Sequence, residues 1–393
     1  MMVIKSIKVM LKPNNKQKTK MFQYAGANRF AYNWTIARQQ ENYKNGGKFI
    51  KDGDLRKEFT QLKKLEEYKW LNTISNNVTK QAIKDACDSY KRFFKGQSKF
   101  PKFKSRKRSR LSFYQDNIKI KFSKTHVKLE GIAISKKKNK QKLNWIRLCE
   151  KNRIPTNCKY SNPRITFDGL NWFISVGVEY NDNLEIPTNK GIGIDLGIKD
   201  LAICSDGNLY RNINKTKRIK KIEKKKCRLQ RQVSKKYEIN KEGRSYKKTG
   251  NIKKLEKQLL KVNHRLTNIR HNYLHQTTSE IINRKPMFIV LEDLNVKGMM
   301  KNKNLAKAIA KQCFYEFYRQ IQYKCLWNNI KFIEADKWYP SSKTCSECGS
   351  IKKQLKLSER EYVCEECGCV IDRDLNASIN LMKYGIKSIE LSL

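Results

Sequence analysis

The sequence predicts a multidomain α+β protein. A strand-like segment at the N-terminus is followed by a long stretch with helical spacing, and residues 112–182 then show the alternation typical of strands. In the C-terminal half, short apolar strands alternate with helical segments, which is the order typical of an α/β domain. A chain of 393 residues is long enough for two or three domains with hydrophobic cores.

The composition is strongly basic. There are 86 Lys and Arg residues against 36 Asp and Glu, which gives a formal net charge of +50. Self-repulsion of this size favours a polyanionic partner, so we expect nucleic acid. A membrane-surface protein is the competing explanation, but no uncharged apolar run reaches the ~18 residues of a membrane span. Lysines interrupt the apolar N-terminus, so we expect an intracellular protein with no membrane partner.

The N-terminal third is predicted to hold one strand and an all-α insertion. Apolar residues at odd positions predict a strand from Val3 to Leu11, within residues 1–13. Helical spacing follows over about residues 16–45 and again over about 55–94. Residues 14–111 are therefore expected to form an all-α lobe, which ends in the basic and aromatic residues 100–110. That last strip is either a solvated tether or a contact for nucleic-acid backbone, and the net charge favours the second.

Residues 112–185 are expected to form a small β-barrel or sheet. Alternation from His126 to Ile134 and a hairpin pattern at Asp168-Gly169 support this prediction. Residues 183–189, with Pro187, are typical of a linker into a third region, residues 186–393.

A basic helical hairpin is predicted over residues 211–284. This segment holds 24 Lys or Arg against five Glu, and apolar residues step by three and four from Ile252 to Tyr273. A break at Glu242-Gly243-Arg244 favours an intramolecular hairpin over a dimerising coiled coil. The later elements are a strand at 287–291, a helix at about 305–327, a strand at 331–335 and a last helix at about 373–384.

Four of the twelve cysteines have the spacing of a zinc site. Cys345-x2-Cys348 is followed, fifteen residues later, by Cys364-x2-Cys367. Two such pairs can place four thiolates around one structural Zn²⁺, in a ribbon that we expect over residues 340–370. A disulfide pair and an iron–sulfur site are the alternatives. Cys369 is expected to be a bystander.

Three acidic residues are candidates for catalysis. Asp195 lies on one predicted strand, Glu292 ends another, and Asp374 opens the last helix. Carboxylates placed in this way could converge on two Mg²⁺ ions, which would activate water for phosphodiester hydrolysis. The alternative is that these acids form turns or cap helices, and spacing alone does not decide between the two.

The third metal ligand could be either Asp372 or Asp374. The last helix is expected to bury one face, which consists of Leu375, Ile379, Met382 and Ile386. Asp374 then lies beside that face and can point toward Asp195. Asp372 precedes the helix at a position suited to an N-cap, so we expect Asp374 to be the ligand.

Two further motifs carry little weight. Gly191-x-Gly193-x3-Gly197 lacks the spacing of a dinucleotide-binding fingerprint, and strand-like residues follow it. His271 and His275 lack the intervening Glu of a zinc protease, so they are expected on a helix surface or against a phosphate.

Four segments resemble, in order, the motifs of the TnpB (OrfB) family of transposon-encoded nucleases. They are residues 193–197, 291–299, 338–349 and 372–378. Residues 28–33 and 100–104 are similar to the family as well. The resemblance covers essentially the whole chain and is weakest between about 110 and 185.

This resemblance implies an RNA-guided DNA endonuclease, related to the type V CRISPR effectors, that reads a short motif beside its target. It implies a RuvC-like, RNase H-type domain in which Asp195, Glu292 and Asp374 hold catalytic Mg²⁺, with the zinc ribbon inserted before the last helix. It also implies a wedge-like β-barrel, split by a recognition lobe that flanks the guide–target duplex.

The resemblance further implies the partners. They would be a guide RNA copied from the transposon end and double-stranded target DNA, with one protein per guide RNA, in the prokaryotic cytoplasm at the nucleoid. The residues expected to contact nucleic acid are Arg29, Tyr32, Asn33, Lys102, Lys104, Arg106, Arg108, Arg110, Lys343 and Arg373.

Two other functions stay open. One is a guide-RNA-dependent repressor that binds DNA without cleaving it, which the intact carboxylates at Asp195, Glu292 and Asp374 count against. The other is a protein-guided transposase or resolvase, whose cutting would survive removal of RNA.

Overall fold

The computed structural model describes residues 2–133, 142–181, 190–356 and 359–391. Its internal contacts divide the chain into two compact units, Met1–Asp182 and Asn183–Leu393. The predicted linker at residues 183–189 and the end of the strand pattern at Ile134 lie outside the described residues.

The first unit is built on a seven-stranded antiparallel sheet. Its strands are β1 (Met2–Lys12), β2 (Leu111–Tyr114), β3 (Lys121–Phe122), β4 (His126–Lys128), β5 (Trp145–Leu148), β6 (Tyr160–Phe167) and β7 (Trp172–Asn181). They lie in the order β2-β6-β7-β1-β5-β4-β3. The N-terminal strand pairs with β7 along nearly its whole length, so it joins the sheet made by the later β-rich region. The predicted hairpin joins β6 to β7 through Gly169, whose φ of +97° suits glycine.

The helical part of this unit consists of α1 (Asn15–Lys44), α2 (Asp52–Leu62) and α3 (Asn76–Phe94). A capping box starts α1, because the side chains of Asn14 and Gln17 each accept a hydrogen bond from the other's backbone. The region predicted as helical over 55–94 is interrupted by a 3₁₀ helix, Glu66–Thr73, and the side chain of Ser75 caps α3.

Helices and sheet share one hydrophobic core in the first unit. Val9 of β1, Phe113 of β2 and Trp172 of β7 belong to the same buried cluster as Met21 and Tyr24 of α1. The helices are therefore packed on the sheet and have no separate core. A finer division of this unit into a barrel and a lobe stays a prediction.

The second unit contains a mixed five-stranded sheet. Its strands are β8 (Ile192–Leu196), β9 (Asp200–Cys204), β10 (Leu209–Arg211), β13 (Phe288–Glu292) and β14 (Lys331–Ala335), in the order β10-β9-β8-β13-β14. Short turns join β8, β9 and β10, so these strands are antiparallel. β13 is parallel to both β8 and β14, because long helical connections precede and follow it.

Helices cover both faces of this sheet. Ile289 and Leu291 of β13 are buried with Leu274 and Phe317, which lie on the two helices α5 (Gly250–Asn283) and α8 (Phe314–Trp327). The alternate residues of β13 are buried on the other face, where Leu381 of α9 (Arg373–Glu390) packs. This burial on both faces explains why the sequence of β13 is a continuous run of apolar residues.

The basic helical hairpin is present as predicted. α4 (Lys217–Ile239) packs along α5. A short ribbon joins the two helices, formed by β11 (Lys241–Glu242) and β12 (Ser245–Tyr246), and its turn contains Gly243 at a φ of +59°. α4 has few apolar residues, and its packing against the apolar residues of α5 holds it in place.

The helix predicted over 305–327 is wrong as a single element. After a short helix, α6 (Val296–Met299), the chain forms α7 (Ala306–Gln312) and then α8. Cys313 separates α7 from α8 with a left-handed φ of +57°. A Cys in that conformation carries no sequence signal, because the left-handed region favours Gly or Asn.

The predicted buried face of the last helix is also wrong. Ile386 is 40% exposed, and Leu375, Ile379 and Met382 are only partly buried. The buried face consists of Asn376, Ala377, Ser378, Asn380, Leu381 and Gly385. Small residues lie here because α9 approaches the sheet closely: a Cβ at Gly193 of β8 would collide with the helix backbone at Ser378 and Met382. The spacing of apolar residues therefore does not predict the buried face of a helix whose backbone packs directly against a strand.

Candidate functional site

Two of the three candidate carboxylates lie side by side at one edge of the mixed sheet. Asp195 is on β8, and Glu292 is the last residue of β13. The two strands are parallel and pair up to Ile194 opposite Leu291, so the next residues in register are Asp195 and Glu292. The carboxyl ends of adjacent parallel strands are a common location for functional groups.

The third carboxylate reaches the same region from the helix that packs on β8. Asp374 lies in the first turn of α9, where the helix dipole favours a negative charge. Burial and the neighbouring charge of Asp372 raise the pKa of Asp374, against the lowering effect of Arg360, Arg373 and Lys199.

The pKa of the Asp195 carboxyl lies well above its ordinary value. Burial is the main cause that raises its pKa to about 8, and the negative charges of Glu292 and Asp374 raise it further. The three carboxylates are thus close enough to interact electrostatically. A partly buried acid with two acidic neighbours favours binding either a proton or a cation.

The donor set fits a divalent cation that prefers oxygen ligands. Carboxylate oxygens come from three elements, and the hydroxyl of Ser341 donates a hydrogen bond to Glu292 Oε1. Within the described ranges, however, only the four-cysteine group has all its ligand atoms within 4.8 Å of one another. The three carboxylates therefore lie near one region, but their oxygen atoms are not all within 4.8 Å of one another.

Asp372 occupies the N-cap position predicted for it. Its Oδ1 accepts hydrogen bonds from the backbone N–H groups of Asp374 at 2.9 Å and Leu375 at 3.1 Å. A side chain engaged with the start of α9 is oriented for capping. The N-cap predicted at Asp372 is therefore confirmed, although the predicted buried face of the helix is wrong.

A polar network that the sequence analysis missed supports the turn after Asp195. The side-chain amide of Gln312 donates to the carbonyl oxygen of Gly197 at 2.9 Å, and Asn212 donates to that of Ile198 at 2.8 Å. Asn214 in turn donates to Gln312 Oε1 at 3.3 Å. Gln312 is buried, so these hydrogen bonds hold the turn in place from the protein interior.

The same network extends to the basic hairpin. Glu223 of α4 accepts from Arg270 of α5 at 2.8 Å and from Lys311 of α7 at 2.6 Å. Arg270 Nε also donates to Asn214 at 2.8 Å. Glu223 stands among many lysines in the sequence, and nothing in the local pattern distinguishes it from a solvated acid.

The four predicted cysteines form a cluster that can hold a structural zinc ion. Their Sγ atoms all lie within 4.8 Å of one another, with 3.7 Å between Cys345 and Cys367 and 3.6 Å between Cys348 and Cys364. Tetrahedral Zn²⁺ with Zn–S bonds of about 2.3 Å requires sulfur atoms about 3.8 Å apart. Cys369 is outside the group, as predicted.

The cysteine ribbon is fastened to α9. It contains the strand pair β15 (Glu361–Val363) and β16 (Val370–Asp372). The buried side chain of Asn376 accepts from the backbone N–H of Ser346 at 2.8 Å and donates to the carbonyl of Thr344 at 2.7 Å. Asn380 donates to the carbonyl oxygens of Ser341 and Thr344. The polar buried face of α9 thus links the ribbon to the helix that carries Asp374.

Several residues expected to contact nucleic acid are engaged within the first unit. The side chain of Asn33 accepts from the backbone N–H of Lys104 at 2.8 Å and donates to its carbonyl at 2.9 Å. Lys104 Nζ lies 3.5 Å from the ring centroid of Tyr32, which is 6% exposed. These contacts attach the basic strip to α1. Four other members of the strip are exposed: Lys102, Arg106, Arg108 and Arg110.

The remaining three expected residues differ in exposure. Lys343 of the ribbon is exposed, and Arg29 of α1 is partly buried. Arg373 donates to the backbone carbonyl oxygen of Lys356 at 3.2 Å, so part of its guanidinium is engaged inside the ribbon. No helix among the described residues is long and apolar enough to cross a membrane.

Three protein-family models match the chain. The OrfB_IS605 model, described as "Probable transposase", matches residues 174–303, and the Cas12f1-like TNB domain matches residues 314–381. A helix-turn-helix domain model of the OrfB_IS605 group matches residues 1–48. Over the described residues of this last match, the chain forms the strand β1 and the single long helix α1.

Curated relatives are similar over nearly the whole chain. "Putative RNA-guided DNA endonuclease InsQ" of Escherichia coli (strain K12) is 29% identical, over 97% of this chain and 92% of its own length. "Putative RNA-guided DNA endonuclease" of Streptomyces pristinaespiralis is 28% identical, over 98% of this chain and 90% of its own length.

A solved structure shares the fold. The chain matches a protein in the cryo-EM structure of the Cas12f1–sgRNA–target DNA complex with a TM-score of 0.58 and 14% identity, over 93% of this chain and 82% of that one. At this identity the match supports the multidomain α+β fold alone. Together with the family models and the curated relatives, it confirms the resemblance inferred from the sequence.

Proposed function

We propose, from the confirmed resemblance to the TnpB (OrfB) family, that this chain is an RNA-guided DNA endonuclease. One observation carries the proposal: Asp195, Glu292 and Asp374 come from two parallel strand ends and a helix start, and they lie close enough together that Glu292 and Asp374 add to the effect of burial in raising the pKa of Asp195. Turn formers and helix caps would not need to be brought together in this way.

The second unit would be the RuvC-like, RNase H-type nuclease domain, residues 186–393. The order of its sheet supports this assignment, because three antiparallel strands are followed by two parallel ones, with helices on both faces. In the first unit, residues 1–13 and 112–185 would form the wedge-like barrel and residues 14–111 the recognition lobe. The helices and the sheet of the first unit share one hydrophobic core, which supports a rigid arrangement of these two parts.

The chemistry would be hydrolysis of a phosphodiester bond. Mg²⁺, when bound, would polarise the scissile phosphate and help to generate the attacking hydroxide. Asp195, Glu292 and Asp374 would hold two such ions, and Ser341 would orient the Glu292 carboxylate through its hydrogen bond. The cation would neutralise the excess of negative charge that Asp195 shares with Glu292 and Asp374.

The partners would be a guide RNA and double-stranded target DNA. Base pairing would supply sequence specificity, while the protein grips the heteroduplex by its backbone, a task that suits a net charge of +50. Exposed cations of the strip, Lys102, Arg106, Arg108 and Arg110, would contact phosphates. Arg218, Lys221, Lys225 and Arg265 line a groove on the α4–α5 hairpin and would do the same.

The biological setting follows from the family. The guide RNA would be copied from the transposon end, and the protein would read a short motif beside the target before unwinding it. One protein would bind one guide RNA in the prokaryotic cytoplasm, at the nucleoid.

The nuclease proposal is tested with three variants purified with the same guide RNA. Asp195→Ala and Glu292→Gln are expected to abolish Mg²⁺-dependent cleavage of a matched plasmid, while RNA and target binding persist in gel-shift assays. Asp293→Asn is the matched control, because Asp293 is exposed beside Glu292 and should retain cleavage. Cleavage by both Asp195→Ala and Glu292→Gln would refute the assignment, and cleavage after removal of RNA would refute guidance.

We propose that the four-cysteine cluster binds one structural Zn²⁺ per chain. Cys364→Ser should lose the metal and loosen the ribbon, because metal-binding energy is here also folding energy. Cys369→Ser is the control and should keep one zinc ion per chain by elemental analysis. Iron, or no metal, in the unmodified protein would contradict the proposal.

A further inference from the structure

A cavity of about 550 Å³ lies in the first unit, among α2, the 3₁₀ helix Glu66–Thr73 and α3. Its size falls within the ~300–1,000 Å³ typical of small-molecule sites. Five cationic side chains line it: Arg56, Lys63, Lys64, Lys69 and Lys80. None of these residues belongs to a motif or to the predicted nucleic-acid contacts. We refer to this cavity as the helical pocket.

Lys63 is the central feature of the helical pocket. The residue is 8% exposed, and its ammonium group donates to Asn76 Oδ1 at 2.7 Å and to Thr79 Oγ1 at 3.4 Å. Both partners are neutral, and no carboxylate in the described part of the chain lies within ion-pair distance of Lys63. A buried cation without a counter-ion is unfavourable unless an anion binds beside it.

Two of the other four cations, Lys64 and Lys80, add to this excess of positive charge, whereas Lys69 pairs with Glu66. Lys64 and Lys80 are exposed and, among the residues described, also have no carboxylate within ion-pair distance. Arg56 pairs with Asp52 at 2.7 Å, but its Nε is buried without a hydrogen-bond partner. Burial, followed by the charge of Lys80, lowers the pKa of Lys63. An anion in the pocket would oppose both effects.

The wall of the helical pocket is not uniformly polar. Phe59 and Ile83 line it together with the amide side chains of Asn72 and Asn76. Lys63 Nζ lies 5.6 Å from the ring centroid of Phe59. Phe59 is only 2% exposed and packs against Trp34, so the pocket offers ammonium and amide groups for a phosphate but no open aromatic face.

We propose that the helical pocket binds the phosphate of a single nucleotide, held by Lys63, Arg56 and Lys80. The occupant has one chemistry and two possible sources: a free nucleotide, or an unstacked nucleotide of the bound RNA. The site is independent of the nuclease proposal, because it lies in the first unit and uses none of the candidate catalytic residues.

The proposal is tested by calorimetric titration of the full-length protein, freed of RNA at high salt, with adenosine 5′-monophosphate and with adenosine. The monophosphate is expected to bind at one site and adenosine about tenfold more weakly, because the phosphate supplies the charge-assisted hydrogen bonds. Lys63→Met and Lys80→Met should each weaken binding of the monophosphate by about tenfold.

Lys57→Met is the matched control, because Lys57 is an exposed lysine of α2 that does not line the pocket. It should leave binding unchanged, which separates the pocket from general attraction to a basic protein. Lys80→Met keeps the test decisive if the buried Lys63→Met variant fails to fold. Equal affinity for adenosine and its monophosphate, or full binding by the Lys80→Met variant, would overturn the proposal.

A second titration distinguishes the sources. If the monophosphate binds the RNA-free protein and is excluded from the RNA-bound protein, a nucleotide of the RNA is the occupant. If it binds both forms equally, the occupant is a free nucleotide. Loss of DNA cleavage does not enter either readout, so failure of the nuclease proposal would leave this one standing.

Discussion

At the scale of single residues, environment decides the role of chemically identical side chains. Asp372 and Asp374 are two positions apart, yet the first caps a helix with two backbone hydrogen bonds and the second faces other carboxylates. Glu292 and Asp293 differ in the same way, since only Glu292 reaches Ser341. Composition alone presents each pair as equivalent acids.

The first prediction at this scale separates Asp372 from Asp374. Asp374→Ala should eliminate Mg²⁺-dependent cleavage with little loss of stability, because the role proposed for its carboxylate is to bind the metal. Asp372→Ala should lower the free energy of unfolding by about 1 kcal/mol and retain measurable cleavage, because it removes only a helix cap. Cleavage rates and melting midpoints of both variants, loaded with the same guide RNA, decide the matter. The reverse pattern would show that the third ligand is misassigned.

A second prediction concerns the bidentate ion pair in which Arg164 of β6 contacts Asp85 of α3 at 2.5 and 2.8 Å. Burial alone would raise the pKa of Asp85, but hydrogen bonds from Arg164 and Gln81 outweigh it, and the pKa is lowered. The pair therefore stabilises the fold above the unfolded-state pKa of about 4, and this stability is lost as pH falls through the folded-state pKa.

Asp85→Asn should accordingly lower the free energy of unfolding by about 2 kcal/mol at pH 7 and flatten its acid dependence. Urea unfolding at neutral and acidic pH measures both effects. Asp88→Asn, on the same helix, is the control, because its 3.8 Å pair with Lys91 is solvent-exposed and should contribute little. An unchanged acid dependence in Asp85→Asn would contradict the prediction.

At the scale of elements, close packing of α9 on β8 and β13 determines the shape of the candidate site. Gly193 and Gly385 leave room for this approach, since a side chain at either would meet helix backbone or Phe288. The approach brings the first turn of α9, and with it Asp374, to the edge where Asp195 lies. Packing of one helix thus assembles a site whose other members are on strands.

We therefore predict that Gly193→Ala lowers the free energy of unfolding by about 3 kcal/mol, because the added methyl collides with the backbone of Ser378 and Met382. Gly250→Ala is the control: it lies at the start of α5, and its added Cβ would meet nothing within 4 Å. That variant should be neutral or slightly stabilising. Denaturant midpoints compare the two, and equal midpoints would rule out the close approach.

At the scale of the whole molecule, the dominant quantity is charge. Ion pairs can neutralise fewer than half of the 86 Lys and Arg residues, because there are only 36 Asp and Glu. Cations are dense in the basic strip and on the α4–α5 hairpin. This distribution calls for a polyanion that neutralises many side chains at once.

We predict a steep salt dependence of RNA binding. If about ten phosphates are neutralised, the logarithm of the affinity should fall against the logarithm of salt concentration with a slope near −9. Replacing Lys102, Arg106, Arg108 and Arg110 together by Gln should reduce the slope by about 3 to 4, at roughly 0.9 per phosphate contact. Filter binding over a salt series measures both slopes. A nearly flat dependence would contradict the prediction.

The sequence alone determined the features that depend on local spacing. The four-cysteine cluster, the N-terminal strand, the basic hairpin and the N-cap at Asp372 could all be predicted, because short-range periodicity and capping chemistry act over a few residues. The three candidate carboxylates could be named from motif resemblance, but their convergence could not be derived from spacing.

Only the tertiary structure decided which distant groups meet. The buried face of α9 was predicted wrongly, because backbone contact at Gly193 selects small and polar residues instead of an apolar stripe. The support of the Asp195 turn by Gln312, and its connection to Glu223, depends on a left-handed Cys313 that no pattern signals. The helical pocket likewise forms only when α2 and α3 pack together. Long-range packing sets these contacts, and a local sequence pattern carries no information about it.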